Sequence, residues 1–258
     1  MIKNLFIFIV WMAFALSVTA QPKKTTVAPI KNSQHLKVFE QAVISGDAGT
    51  ATISLNYYLA EPGSDQKYAD TLAMLYMQQG AYPQCYYWAR QRLLVKPDDI
   101  NLMELKGVCL EKLQQPKEAI DVFEKLLKKT QSPYHAYKLM ELQYGIKRLV
   151  ECLETAEAAE KLTYQPGFIM TYNVGQQVGR TYLQAGVYNI HALALYDLDK
   201  KAEAKAYFEK ALALDTSFVL AKQNLEALRN IEIGDRKNNP VPGNPQQAAP
   251  ATNKQNQN

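Results

Sequence analysis

The stretch from Asn101 to Lys129, NLMELKGVCLEKLQQPKEAIDVFEKLLKK, decides the fold. Apolar side chains recur in it at steps of three and four residues, which is the spacing of one face of an α-helix. Small and large residues also stand at fixed offsets: Gly107 precedes Leu110 by three residues, and Ala119 precedes Phe123 by four. The stretch therefore predicts two helices joined by a tight turn, with small side chains where the two backbones approach each other.

The same unit occurs twice before this stretch. Residues 67–99, KYADTLAMLYMQQGAYPQCYYWARQRLLVKPDD, place Cys85 at the position of Ala119, 34 residues earlier. Ala51 stands another 34 residues earlier, although Phe39 occupies a position of that first unit that should be small. Equal steps of a helical hairpin indicate a repeat array, in which neighbouring hairpins bury a continuous core.

The array closes with residues 187–218, VYNIHALALYDLDKKAEAKAYFEKALALDTSF. In this unit Ala192, Ala204 and Phe208 repeat the small and aromatic positions. The amphipathic pattern of about residues 217–231 predicts a capping helix, which covers an otherwise exposed apolar end.

The fourth unit departs from the 34-residue step. Cys152 comes one residue earlier than the step requires, which predicts a one-residue deletion in the turn near Gly145 to Arg148. We expect the repeat domain as a whole to cover residues 32–233.

These units resemble the tetratricopeptide repeat, a helix–turn–helix with a 34-residue period and a small–aromatic–proline signature. The closing proline ends the second helix, as Pro97 does in the second unit and Pro133 in the third. The resemblance implies an all-α superhelical solenoid whose first helices line a concave groove for a peptide or a partner helix. The expected partner-binding side chains of that groove are Lys67, Asp70, Met74, Met77, Asn101, Glu104, Glu111, His135, Lys138, Asn189 and Tyr196.

One binding mode of the family is not expected here. Some members grip the C-terminal carboxylate of heat-shock chaperones with a clamp of Lys, Asn and Arg. The corresponding positions hold Leu36, Glu40 and Met74, so the resemblance does not extend to that clamp.

An insertion interrupts the array at about residues 167–184, before the last unit. The run from Phe168 to Tyr172 is rich in strand-forming residues, Gly175-Gln176 is a turn candidate, and the chain returns from Val178 to Leu183. This pattern fits a β-hairpin, and an additional irregular helix is the alternative. Insertions in repeat arrays often map to the binding face.

Both ends of the chain differ from the repeats. Residues 1–20 combine one lysine with an apolar run and small residues before Gln21, which predicts a secretory signal peptide cleaved after Ala20, with a membrane anchor as the alternative. Residues 21–31 are expected to be a flexible lead-in. Residues 234–258 are rich in Pro, Asn and Gln and predict a disordered tail.

Composition narrows the function classes. Hydrophobic residues make up 47% of the chain and charged residues 21%, as in folded soluble proteins. The net charge of +4 comes from interleaved Lys, Arg and Glu, so no basic stripe for nucleic acid is expected. His35, His135 and His191 fall in separate repeats, and the sequence predicts no metal site, no cofactor and no enzymatic activity.

The three cysteines stand at helix positions. Cys85 and Cys152 occupy the small positions of second helices and are expected to be buried, whereas Cys109 on a first helix is expected to face outward. A Cys85–Cys109 disulfide between neighbouring helices stays open at this point.

Two functions from different classes fit these features. The first is an exported scaffold or adaptor of the periplasm or cell exterior that binds a protein, without a membrane segment after signal cleavage. The alternative is a glycan-binding protein of the envelope that stacks sugars on the aromatic residues of the insertion.

Overall fold

The structure, a computed structural model, describes residues 33–238, with side chains as far as Ile231. The predicted signal peptide, the lead-in and the last twenty residues of the chain lie outside this range. No helix in the described range is both long and apolar enough to span a bilayer.

The described range consists of eleven helices and one two-stranded sheet. In chain order they are α1 (Gln34–Ser45), α2 (Ala48–Ala60), α3 (Tyr68–Gln78), α4 (Tyr82–Leu93), α5 (Ile100–Lys112), α6 (Pro116–Thr130), α7 (Pro133–Gly145), α8 (Leu149–Glu160), β1 (Ile169–Val174), β2 (Gln177–Tyr182), α9 (Leu183–Asp197), α10 (Lys201–Leu214) and α11 (Val219–Asn238). Each helix packs against the next, and α7 also packs against α9. The predicted helical-repeat solenoid is confirmed.

Local sequence determines where the helices begin. The side chains of Ser33, Asp47 and Asp99 each accept a hydrogen bond from a backbone N–H of the first turn that follows. Pro116 and Pro133 are the first residues of α6 and α7, where a missing N–H costs no intrahelical bond. Pro133 thus begins the fourth unit, and the expectation that it closes the third was wrong.

The small positions of the second helices lie in the core of the solenoid. Ala51, Cys85, Ala119, Cys152 and Ala204 lie on α2, α4, α6, α8 and α10, and each is buried. A small side chain at this position lets the second helix approach the first closely. The spacing that identified the repeat therefore reflects packing.

The one-residue shortening of the fourth unit lies before α7, not in its turn. The turn between α7 and α8 has three residues, as do the turns after α3 and α5, but only residues 131–132 join α6 to α7. Buried positions of α7 consequently follow those of α5 by 33 residues, as Met103 and Ala136 show. The predicted deletion near Gly145 is corrected, and every side chain of α7 moves by one position in the register.

The insertion is a β-hairpin, as predicted. The strands β1 and β2 are antiparallel, with Ile169 opposite Tyr182 and Val174 opposite Gln177. Gly175 begins the two-residue turn with φ +58°, a conformation that glycine adopts at little cost.

The hairpin is attached to the last repeat. The Tyr172 ring lies 4.9 Å from the Phe218 ring, and its hydroxyl accepts a hydrogen bond from the N–H of Val219 at the start of α11. Met170 packs so closely on Gly186 of α9 that a Cβ there would collide with its sulfur atom. These contacts fix the hairpin relative to α9 and α11.

The capping helix is longer than expected. The sequence placed its end near residue 231 and the tail from residue 234, whereas α11 continues to Asn238. The part of the predicted tail beyond Asn238 lies outside the described residues.

Candidate partner-binding groove

A groove of about 640 Å³, here called the hairpin groove, lies between β1 and the helices α5 and α7. Its volume is within the range of typical ligand sites. The lining residues are Glu111, Lys112, Tyr134, Tyr137, Lys138, Glu141, Phe168, Ile169, Met170, Thr171, Tyr172, Asn173 and Leu220.

Lys138 joins the two carboxylates of the groove. Its Nζ lies 2.8 Å from Oε2 of Glu111 on α5 and 2.5 Å from Oε2 of Glu141 on α7. Burial disfavours the charged ammonium, but the Glu141 and Glu111 carboxylates outweigh it and raise the pKa of Lys138. The lysine therefore stays charged and holds α5 and α7 together at the groove.

Two tyrosines form the helical wall of the groove. Burial raises the pKa of Tyr137, and nearby Glu141 and Glu111 add to the effect. Burial likewise raises the pKa of Tyr134. Both hydroxyls thus remain neutral, and Tyr side chains of this kind are favoured anchors of protein interfaces.

Two of the predicted partner-binding residues are buried and do not belong to an exposed face. His135 contacts Oε1 of Glu104 through Nε2 at 2.5 Å and Thr130 Oγ1 through Nδ1 at 2.7 Å. Asn189 accepts a hydrogen bond from Asn224 of the capping helix. The expectation that His135 and Asn189 are exposed was wrong, in the first case because of the 33-residue step and in the second because α11 covers the position.

The 33-residue step also shows which groove residues were missed. Counted from Asn101 and Glu104, the equivalent positions on α7 are Tyr134 and Tyr137, and both line the groove. The periodicity of buried residues in α7 carried this signal, since Ala136 and Met140 sit in the apolar pattern. The groove residues of the hairpin, 168–173, had no such signal in the sequence, because their position depends on how the insertion packs against the helices.

The remaining predicted residues occupy different environments. Asp70 is half-buried and binds Nε of Arg92 at 2.5 Å and Nζ of Lys96 at 2.7 Å, so it ties α3 to α4. Glu111 and Lys138 meet in the hairpin groove, and Glu104 is engaged by His135. Exposed or half-buried side chains remain at Lys67, Met74, Met77, Asn101 and Tyr196. Their role in partner binding stays a prediction.

His191 is a buried histidine of the core that is bonded to a carboxylate. Its Nδ1 lies 2.8 Å from Oε1 of Glu160, and its ring stacks on Tyr207 with 3.8 Å between centroids. Burial lowers the pKa of His191 below its ordinary value, although Glu160 acts in the opposite direction. The neutral ring therefore donates its Nδ1–H to the carboxylate.

All three thiols are free and buried. Cys109 does not face outward as expected, because α5 buries it beside Cys85 of the neighbouring helix α4. Burial raises the pKa of Cys152 to about 12. Among the described residues, no cluster of three or more His, Cys, Asp or Glu side chains is arranged to hold a metal ion.

Two sequence families match parts of the chain. Residues 46–126 match the family described as anaphase-promoting complex, cyclosome, subunit 3, and residues 185–218 match the tetratricopeptide repeat. A search of curated protein sequences finds no match.

Several solved structures share the fold. A MamA structure from AMB-1 has a TM-score of 0.56 and 17% identity, covering 71% of this chain and 91% of that one. Another crystal structure of MamA has a TM-score of 0.57 and 15% identity, over 82% and 96%. PilF of Pseudomonas aeruginosa has a TM-score of 0.52 and 20% identity, over 66% and 69%. At these identities the likeness concerns the fold.

Proposed function

Because this chain is a tetratricopeptide-repeat protein, we propose that it is an exported scaffold that holds a protein partner in the hairpin groove. Scaffolding of protein–protein interaction follows from the repeat fold. Two further statements are part of the proposal: that the protein is exported to the periplasm or cell exterior, and that the partner binds in the hairpin groove. No reaction is assigned to the protein.

The observation that carries the choice of groove is the position of the hairpin. It stands over α7 and forms one side of a groove whose other side contains Tyr134 and Tyr137. The groove combines two tyrosines with the paired charges of Lys138, Glu111 and Glu141, and Tyr is enriched among the anchors of protein interfaces. An inserted element that shapes a groove is a natural source of partner specificity.

Export is supported by the first twenty residues. One lysine precedes an apolar run that ends in Ser17-Val18-Thr19-Ala20, a combination typical of cleaved secretory signals. If export occurs, mass spectrometry of the protein from its host will find Gln21 at the N-terminus. A mature chain that retains Met1 in the cytosolic fraction would contradict this part.

Binding is tested by site-specific photo-crosslinking in the host. A crosslinking residue at Thr171 in the groove is compared with one at Glu124, an exposed position on α6 outside the groove. We expect a discrete adduct from position 171 that disappears when Glu141→Lys reverses a charge of the groove, and no such adduct from position 124. Identical adducts from both positions would place the partner elsewhere.

Glycan binding is a second candidate, favoured by a separate pocket. Phe168 and Tyr182 are 45% and 44% exposed, and with Tyr164 they line a pocket of about 230 Å³. Exposed aromatic rings are the surfaces on which sugars stack. Loss of retention on envelope polysaccharide in a Tyr164→Ala/Tyr182→Ala variant, which leaves the residues of the hairpin groove in place, with the crosslinked adduct unchanged, would favour this function over the first.

A further inference from the structure

The strand β1 has one free edge. The N–H of Leu183 donates to the carbonyl oxygen of Phe168, and in an antiparallel ladder residues alternate between bonded and non-bonded pairs. From that bond the register assigns Ile169, Thr171 and Asn173 to the non-bonded pairs. Their N–H and C=O groups point away from β2, and those N–H groups donate no hydrogen bond to a described residue.

This edge faces the hairpin groove. Six consecutive residues, 168–173, line the groove. Successive side chains of a strand point to opposite faces, so a groove against one face would be lined by every second residue. A lining of consecutive residues means that the groove runs along the edge, where the unpaired backbone groups are.

The two faces of the hairpin differ in polarity. Met170 and Tyr172 point toward α9 and α11 and pack on Gly186 and Phe218. Thr171, between them, is exposed. A strand paired with β1 would extend the sheet and have the same two faces. Its side chains would point alternately toward the apolar helices and toward solvent.

The charges at the groove cancel. Glu111 and Glu141 are matched by Lys138 and Lys112, and Lys138 is already bound to both carboxylates. A charged side chain directed inward would have no free counter-charge and would lose its hydration. The groove therefore fits inward side chains that are uncharged and can pack on Tyr134 and Tyr137.

We propose that the partner presents an extended segment of about six residues, roughly 20 Å long, which pairs with β1 as a third strand of the sheet. Its inward positions are apolar and its outward positions polar. The backbone of Ile169, Thr171 and Asn173 supplies the hydrogen bonds. This inference rests on the proposed function and specifies how the groove recognises the partner protein.

The chain's own C-terminal residues are a poorer occupant. Residues 239–258 contain four prolines, which cannot donate to a ladder, and are otherwise rich in Asn and Gln. Within the described range, a second copy could present only the outer edge of β2, since its β1 edge lies within the groove. One face of β2 carries the charged Arg180 and the other Gln177, Gly179 and Thr181, so neither face supplies apolar inward positions. A partner protein with an alternating apolar and polar segment matches both faces.

The direct test uses the full mature chain and a phage-displayed library of random octapeptides. We expect selected peptides to alternate apolar and polar residues. In hydrogen exchange followed by NMR, a selected synthetic peptide should slow the amides of Ile169, Thr171 and Asn173 at least about tenfold and leave those of Val178 and Arg180 on the opposite edge unchanged. A library without such peptides, or binding without this protection, would overturn the proposal.

Proline variants at one ladder level provide the matched comparison. Thr171 and Arg180 face each other in a non-bonded pair, so proline at either position removes an outward N–H and keeps the bonds between β1 and β2. Thr171→Pro should weaken peptide binding about tenfold or more, the effect of losing one to two kcal/mol. Arg180→Pro, Arg180→Ala and Thr171→Val should each change it less than about threefold. Equal loss from both prolines would contradict strand pairing.

The experiments also distinguish a partner segment from other occupants of the β1 edge, and a failure of this inference from a failure of the proposed function. Protection of the three amides without peptide, lost on truncation after Asn238, would assign the edge to the chain's own tail and overturn the proposal. Protection that grows with protein concentration would assign it to a second copy and do the same. For the last comparison the crosslinking residue is moved from position 171 to Asn173 of the same groove. If Glu141→Lys then abolishes the adduct with the native partner while Thr171→Pro leaves it, the groove binds its partner without strand pairing, and only this inference fails.

Discussion

The ring of Phe123 occupies the space next to Gly107 where any side chain would have to stand. A Cβ placed on Gly107 would lie 2.9 Å from Cε2 of Phe123. The aromatic residue of the second helix thus requires glycine on the first. This contact lies in the core of the third repeat, where both residues are buried.

Gly107→Ala should lower the free energy of unfolding by about 1–2 kcal/mol. Overpacking of a core costs about 1–3 kcal/mol, and the higher helix propensity of alanine returns up to about 1 kcal/mol. The control is Gly145→Ala at the end of α7, where a Cβ meets nothing within 4 Å and the propensity gain should appear alone. Urea denaturation of both variants measures the difference, and a stabilised Gly107→Ala would refute the contact.

Lys138→Met should destabilise the protein by about 1–2 kcal/mol. Removing the lysine from these partly buried ion pairs leaves Glu111 and Glu141 near each other without the ammonium, and the exposure of Glu141 screens part of the effect. Adding Glu111→Gln to Lys138→Met should recover a large part of the loss. A double-mutant cycle in chemical denaturation measures the recovery, and strict additivity would show that the two residues do not interact.

Stability should fall on acidification because of His191. Burial lowers the pKa of this histidine below 6.5, so the unfolded chain binds a proton more readily than the folded chain. Unfolding is therefore favoured as pH drops below about 6.5, and the effect continues until the folded histidine protonates. His191→Gln should flatten this slope in denaturation between pH 7.5 and 5.5. An unchanged slope in His191→Gln would exclude the histidine as its source.

Tyr172→Phe should cost about 1 kcal/mol and loosen the hairpin. The substitution removes the acceptor of the Val219 N–H at the start of α11 and keeps the ring against Phe218. Faster amide exchange at Val219 is the specific readout. Tyr182→Phe, at an exposed position of β2, is the control and should change neither stability nor exchange.

The thiols should not react in the folded protein. Cys85, Cys109 and Cys152 are all buried, and the pKa of Cys152 is raised to about 12, so its thiolate is scarce at pH 8. Titration with Ellman's reagent should find no reactive thiol in the native state and three in denaturant. Rapid native reaction would contradict the burial.

The fold could be predicted because each helical hairpin repeats the same packing contact, which leaves the same residue pattern in the sequence. Ala51, Cys85 and Ala119 occur at equal spacing since each fills the same contact between two helices. The register of α7 was not predictable from Cys152, because a deletion before α7 and one in the following turn shift that cysteine equally. The α7 side of the groove was therefore assigned one residue away from Tyr134 and Tyr137.

The hairpin side of the groove could not be predicted for a different reason. Strand propensity and Gly175 indicated a hairpin, but its place over α7 depends on Met170 packing on Gly186 and Tyr172 on Phe218. These are contacts between distant parts of the chain, with no periodicity that marks them. That the free edge of β1 faces the groove follows from that docking alone.

The attachment of the hairpin to α9 and α11 limits how this array can change length in evolution or in engineering. Hairpin, last repeat and cap form one module that meets α7 across the groove. A repeat added before α5 would lengthen the protein and carry the groove along intact. A repeat added between α8 and α9 would separate β1 from Tyr134 and Tyr137 and divide the groove between two distant surfaces.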